Sequence, residues 1–233
     1  MTISSIYAVW AAARLGFRSP VKFALITLIG VVLGWFFFAK LGVASFHVPF
    51  VGEVNIGWLI IPLFAFAVVA TGNAVNISDG MDGLAGGLLG ISFGAFGVIA
   101  LLQQHVILAG FCFTVVGVLL SYLWFNIYPA RFFMGDVGSF AYGACLGVVA
   151  MLTDSLLLLP VIGLLFVIEA GSSLTQIVSK KLFKRKIFLS APIHHHLEAI
   201  GWPETKVTMR FWVIGCVMAF IGVMLALAGG HIA

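Results

Sequence analysis

The chain is 233 residues long, 62% hydrophobic and 9% charged, with a formal net charge of +4. So much apolar surface excludes a water-soluble globular domain and indicates a polytopic membrane protein, with one compact bundle as the natural unit at this length. The net charge decides nothing until the basic residues are placed along the chain.

Residues 1–16 carry no basic segment ahead of their apolar stretch, so a cleaved signal peptide is not expected. Seven runs then approach the length needed to cross a bilayer: 21–41, 58–71 continuing to 77, 84–102, 106–125, 137–152, 156–179 and 209–228. The fold expected is an all-α polytopic membrane helix bundle of about seven transmembrane helices. No internal repeat or low-complexity linker divides it, so 1–233 reads as a single domain. Cys112, Cys145 and Cys216 lie inside apolar runs without zinc-like spacing and read as small packing residues. Gly86, Gly90 and Gly94, at four-residue steps in the third run, predict close helix packing.

Arg14, Arg18 and Lys22 precede the first run, Arg131 lies between the fourth and fifth, and Lys180, Lys181, Lys184, Arg185 and Lys186 follow the sixth. Lys206 and Arg210 lead into the seventh. With seven spans these eleven of the twelve basic residues fall on one side, with only Lys40 opposite. The positive-inside rule makes that side cytoplasmic, with the N-terminus inside and the C-terminus outside.

Polar residues collect at three places on that side. Between the second and third runs stands Asn73-Ala-Val-Asn76-Ile-Ser-Asp79-Gly-Met-Asp82. Asp79 and Asp82 share a face if the segment is helical, and Gly80 and Gly83 leave the backbone open to a ligand or a tight turn. Such oxygens suit a divalent cation and, through it, a phosphate; a polar hairpin joining two membrane helices accounts for them equally. The second cluster runs from Phe125 to Ser139, where Pro129 ends a helix and Asp136 opens the next, as a helix cap or as a ligand. Phe132 and Phe133 there suit interfacial anchoring. The third is Pro192-Ile-His194-His195-His196-Leu-Glu198. Three consecutive histidines cannot all face one way on a helix and are poorly spaced for tetrahedral zinc. They suit hydrogen bonds to phosphate oxygens, or simply a histidine-rich surface loop. The basic run at 180–186 suits topology, anionic headgroups and attraction of an anionic substrate. Glu169, inside the sixth run, is either functional or paired within the bundle. Five of the eight acids, Asp79, Asp82, Asp136, Glu198 and Glu204, share the basic side. Carboxylates, histidines and a basic surround together describe a site for a nucleotide-diphosphate substrate beside a bilayer.

NAVNISDGMDGLA at 73–85, FNIYPARFFMGDVGS at 125–139 and PIHHHLE at 192–198 resemble, in order, the motifs of the bacterial phospho-N-acetylmuramoyl-pentapeptide transferase family. That family lies within the polyprenyl-phosphate N-acetylhexosamine 1-phosphate transferase superfamily. The resemblance extends through Gly201-Trp202-Pro203-Glu204 to the last run, and PIHHHLE favours the muramoyl-pentapeptide branch. It implies transfer of phospho-MurNAc-pentapeptide from UDP-MurNAc-pentapeptide to undecaprenyl phosphate, giving lipid I and UMP in peptidoglycan synthesis, with Mg²⁺ as cofactor. The place implied is the bacterial inner membrane, active site to the cytoplasm. The resemblance leaves room for a homodimer and gives nucleic acid no role. By motif position Asp136 is the magnesium ligand. Asp79 and Asp82 line the same cleft, and Asn73 and Asn76 position substrate. Phe133 stacks on uracil, Asn126 lies near the nucleoside, and His194, His195 and His196 act at the diphosphate or sugar. Gln176 is a further substrate contact.

Family members carry an earlier Asp-Asp pair followed by Lys, and this chain has no adjacent Asp-Asp. The resemblance covers about the C-terminal two-thirds of a ten-span enzyme, so the expectation is a fragment of a transferase. Alternatives are a related UDP-N-acetylhexosamine transferase, an inactive truncated member and, outside the class, a membrane transporter. A transporter gathers such groups near the midplane, often in repeated halves.

Overall fold

A computed structural model describes residues 19–230. Arg14, Arg18 and the segment read for a signal peptide lie outside the described residues. The elements run α1 (Ser19–Leu41), β1 (Ser45–Val48), β2 (Gly52–Asn55), α2 (Ile60–Ser78), α3 (Leu84–Leu102), α4 (Val106–Asn126) and α5 (Gly135–Leu152). They continue with α6 (Leu159–Ile162), α7 (Leu164–Leu182), α8 (Ile193–Ala199) and α9 (Glu204–Ala228). Six helices among the described residues are long and apolar enough to cross a membrane, and they carry the first five and the last of the expected runs. Helices suit such sequences because each satisfies its own backbone groups in hydrocarbon.

The sixth run departs from expectation. It is not one straight span: Leu156–Ile162 and Leu164–Leu182 meet at an angle of 80°. Pro160 at the start of α6 and Gly163 between the two helices supply the break. The leucine-rich sequence hides it, because a uniformly apolar run carries no phase. The all-α expectation also omits a small antiparallel hairpin, β1–β2, in the first connection.

α3 is the central helix: 72% of its span is buried, against 22% for α1 and for α4. The glycine expectation on α3 holds only in part. Gly86 lies against Tyr122 and Leu123 of α4, Gly87 lies under Trp212 of α9, and Gly97 meets Cys112, whereas Gly90 and Gly94 face open space. The tightest backbone contact falls elsewhere, between α2 and α5. A β carbon on Gly143 would lie 2.6 Å from the Thr71 carbonyl oxygen and 2.7 Å from Gly72 Cα. The cysteines are all free, but the packing role expected of them holds fully only for Cys112, which is buried; Cys145 is half-buried and Cys216 is exposed.

The two ends of the bundle differ. At one, the hairpin is tied to the connection after α5 and to the end of α9. His47 N–H donates to Asp154 Oδ1 (3.0 Å) and His47 Nε2–H to the Gly229 carbonyl (2.9 Å). Burial pushes the Asp154 carboxyl up to about 6; the His47 N–H opposes the rise and Glu53 adds to it. His47, Glu53 and Asp154 bring one ligand atom each within 4.8 Å of one another, the only such group of three among the described residues. The other end collects the three motif segments.

Candidate active site

α2 ends at Ser78, and a turn through Gly83, which has a positive φ of 74°, reverses the chain into α3. This reversal presents Asp79 to the start of α5. Asn76, one turn earlier on α2, donates from Nδ2 both to Asp136 Oδ1 and to Ser139 Oγ, each at 2.9 Å. Asp136 lies in the first turn of α5 instead of capping it, where a negative charge meets the positive end of the helix. Burial pushes the Asp79 carboxyl up to about 6; the Gly135 backbone N–H opposes that and the Asp136 carboxylate adds to it. Asn76, Asp79, Asp136 and Ser139 therefore form one polar group at the junction of α2 and α5.

The histidines approach from the other side of the same turn. The connection after α7 folds back along that helix. Ile187 and Phe188 N–H groups bond to Gln176 Oε1 at 3.0 and 3.1 Å, Gln176 Nε2 donates to the Phe188 carbonyl (2.9 Å), and Ser179 bonds to the Arg185 carbonyl (2.9 Å). His194 then reaches Glu169, 2.8 Å from Nδ1 to Oε2, with both residues fully buried. His195 pairs with Glu198 at 2.7 Å. Both Nε2 atoms point at Gly80: a β carbon there would lie 2.6 Å from that of His194 and 3.5 Å from that of His195. His196 turns away, its Nδ1 accepting the Leu189 N–H at 3.2 Å and its ring edge-on to Phe188. Glu169, read as lying inside a straight span, thus sits level with the acidic turn. The helix continues from it for about 16 Å to Lys180.

Several expected site residues are engaged in hydrogen bonds that hold the fold together. Asp82 accepts the Ala130 N–H through Oδ2 (2.8 Å), while its own N–H donates to Glu204 Oε1 (2.7 Å). Asn126 is buried, accepting the Gly83 N–H (3.1 Å) and donating to the Phe132 carbonyl (2.9 Å). Asn73 turns back on its own helix to the Val69 carbonyl (2.7 Å), and Gln176 is committed to the returning loop. The paired phenylalanines separate: Phe132 packs against Phe125 and Tyr122, while Phe133 is 64% exposed with a ring free to stack. Ser139 closes the second motif and Glu204 is one of the five acids on the basic side, but neither has a role of its own in the sequence; Ser139 accepts from Asn76 and Glu204 from the Asp82 N–H.

The donor set at α2–α5 suits magnesium. That ion takes hard oxygen ligands and keeps most of its shell for waters and substrate phosphates, needing only one or two carboxylates from the protein. Asp136 and Asp79 offer two, close enough for one charge to raise the other's pKa.

A polytopic helical membrane protein with acids and paired histidines gathered at one end is the class that this fold and site define. Residues 9–154 match glycosyl transferase family 4, and the chain belongs to that family. Among similar curated proteins, one from Chloroflexus aurantiacus is 50% identical over 192 residues, covering 79% of this chain and 52% of the relative. One from Chloroflexus aggregans is 45% identical over 228 residues (92% and 62%), and one from Levilactobacillus brevis 44% over 199 (85% and 61%). All three bear the name phospho-N-acetylmuramoyl-pentapeptide-transferase. The chain spans between about half and two-thirds of the length of these relatives.

Proposed function

We propose that this site serves the transfer of phospho-MurNAc-pentapeptide from its UDP carrier to undecaprenyl phosphate, giving lipid I and UMP. The observation that carries the reading is the junction of Asn76, Asp79 and Asp136 with the His194–His195 pair around one turn. The relatives' shared name supports the substrate assignment. In the reaction a phosphate oxygen of the lipid attacks the β-phosphorus of the UDP-sugar, a new P–O bond forms, and the bond to UMP breaks.

Asp136, with Asp79, would hold the magnesium ion, which supplies charge neutralisation at the diphosphate oxygens as they become the leaving group. Asn76 fixes the Asp136 carboxylate, and Phe133 offers its face to the uracil. The lipid phosphate arrives already anionic, so its chief need is positioning. The acidic end also bears Arg131, Lys206, Arg210 and the basic run at 180–186. By the charge rule it faces the cytoplasm of the bacterial inner membrane.

The test measures UMP release in detergent or nanodiscs with undecaprenyl phosphate and either UDP-MurNAc-pentapeptide or UDP-N-acetylglucosamine. Release with the former alone, lost on chelation by EDTA and restored by Mg²⁺, is expected. Preference for the second nucleotide would reject the substrate, and metal-independent release would reject the magnesium role. Asp136→Asn should abolish release while leaving thermal unfolding in place; turnover near the parent value would remove Asp136 from the metal site.

A further inference from the structure

Glu169 belongs to none of the three motif segments, yet it holds the most buried ionisable contact described at this end of the bundle. Its Oε2 lies 2.8 Å from His194 Nδ1, and both side chains are 0% exposed. Each keeps one buried polar atom without a partner, Glu169 Oε1 and His194 Nε2. Buried polar atoms are almost always satisfied, so two left open on one pair require a reason. A carboxylate oxygen accepting at 2.8 Å holds the proton of His194 on Nδ1 and leaves Nε2 as the bare nitrogen on the far side of the ring. Nε2 is itself buried and lies against Gly80, where the missing side chain leaves it room.

His195 repeats the arrangement in more open surroundings. Its Nδ1 is 2.7 Å from Glu198, its Nε2 is directed at the same glycine, and the two rings are 4.2 Å apart. Two adjacent imidazoles of α8, one held by a carboxylate of α7 and one by a carboxylate of α8 itself, thus aim the same atom at one point of the acidic turn. A histidine serving only as packing has no need of such agreement.

We propose that Glu169 is a positioning residue: it fixes the His194 ring with Nδ1 protonated, so that Nε2 is the atom offered beside Gly80 to the phosphate-bearing ligand. The ligand class rests on the transferase reading; the ring geometry does not. The same logic holds in hydrolase triads, where a buried carboxylate sets the tautomer and orientation of a histidine without touching substrate.

The experiment is nitrogen-15 NMR of the histidine rings in the purified, ¹⁵N-histidine-labelled chain in micelles, with His194→Gln and His195→Gln assigning the signals. In the parent, both rings should be protonated at Nδ1. Glu169→Met, which keeps the length of the side chain and removes the acceptor, should move His194 toward the Nε2-protonated form and leave His195 unchanged. Glu198→Met, at a more exposed site, should do the reverse. A parent His194 bare at Nδ1, or a Glu169→Met spectrum identical to the parent's, overturns the proposal. Titration with UDP should then shift the His194 Nε2 signal, and Glu169→Met should weaken UDP binding at least five-fold. UDP binding that leaves Nε2 unmoved overturns its assignment as the ligand-facing atom. Absence of UDP binding with the expected ring signals sinks the transferase reading and leaves the tautomer control by Glu169 standing.

Discussion

Asn126 and Phe133 stand seven residues apart in one motif and have opposite fates. Asn126 spends its amide on Gly83 and Phe132, closing the loop between α4 and α5 over the start of α3. Asn126→Ala should therefore lower unfolding stability by about 1–3 kcal/mol, the cost of leaving buried backbone groups unpaired. Nucleotide affinity should change little in the protein that remains folded, as calorimetry with UDP would register. Phe133 supports nothing around it. Phe133→Ala should leave thermal unfolding unchanged and weaken uridine-nucleotide binding by about 1–3 kcal/mol, the usual worth of base–aromatic stacking. Equal UDP affinities for parent and variant would remove Phe133 from the nucleotide site. The sequence made both residues visible as polar or aromatic exceptions at the end of a membrane span. It could not separate them, because the partners of Asn126 are backbone groups brought near only by the finished fold. The backbone partners of Asp82 and Gln176 are hidden from the sequence for the same reason. The gathering of Asp79, Asp82 and Asp136 was legible, since in so apolar a chain carboxylates have few uses, but the approach of Asp79 to Asp136 across two helices was not.

Among the elements, α2 and α5 carry the acids, and their contact is made by backbone. Gly143→Val would drive a branched side chain into Thr71 and Gly72, which cannot move aside as a rotamer can. The expected cost is about 1–3 kcal/mol of stability, read as a lowered unfolding midpoint in micelles, with transfer falling further than stability. Gly90→Ala, on the open side of α3, should be neutral by both measures. The sequence suggested the reverse emphasis, because regular glycine spacing draws attention to α3 while the decisive glycine on α5 looks ordinary. The broken sixth run was hidden likewise. Its break turns α7 out of line, so Glu169 meets the acidic turn and the loop bearing the histidines can return along the helix.

Over the whole molecule, the two ends respond to acidity through different groups. At the hairpin end the Asp154 carboxyl is raised to about 6 from an ordinary value of 3.8, chiefly by burial. A carboxyl raised in the folded state binds its proton more tightly there than in the unfolded chain. Its contribution to stability is greatest below the unfolded value, declines as pH rises from about 4 to about 6, and is gone above that. Asp154→Asn keeps an oxygen for the His47 N–H and cannot ionise. Its unfolding midpoint should match the parent's near pH 4 and exceed it at pH 7–8; a difference independent of pH would reject this account. The apolar runs that became the six long helices were readable from their length, whose physics is one-dimensional. The hairpin, the bend and the tie between His47 and Gly229 arise from contacts across the bundle, for which no local pattern exists.

The abutment of Gly143 on Thr71 and Gly72 makes a calliper of the two helices that bear Asp79 and Asp136. No side chain is interposed at that pivot, so the jaw opening is set by main-chain thickness and cannot drift with the repacking of neighbours. The gap between the carboxylates therefore keeps one width whatever side chains are mounted around the jaws.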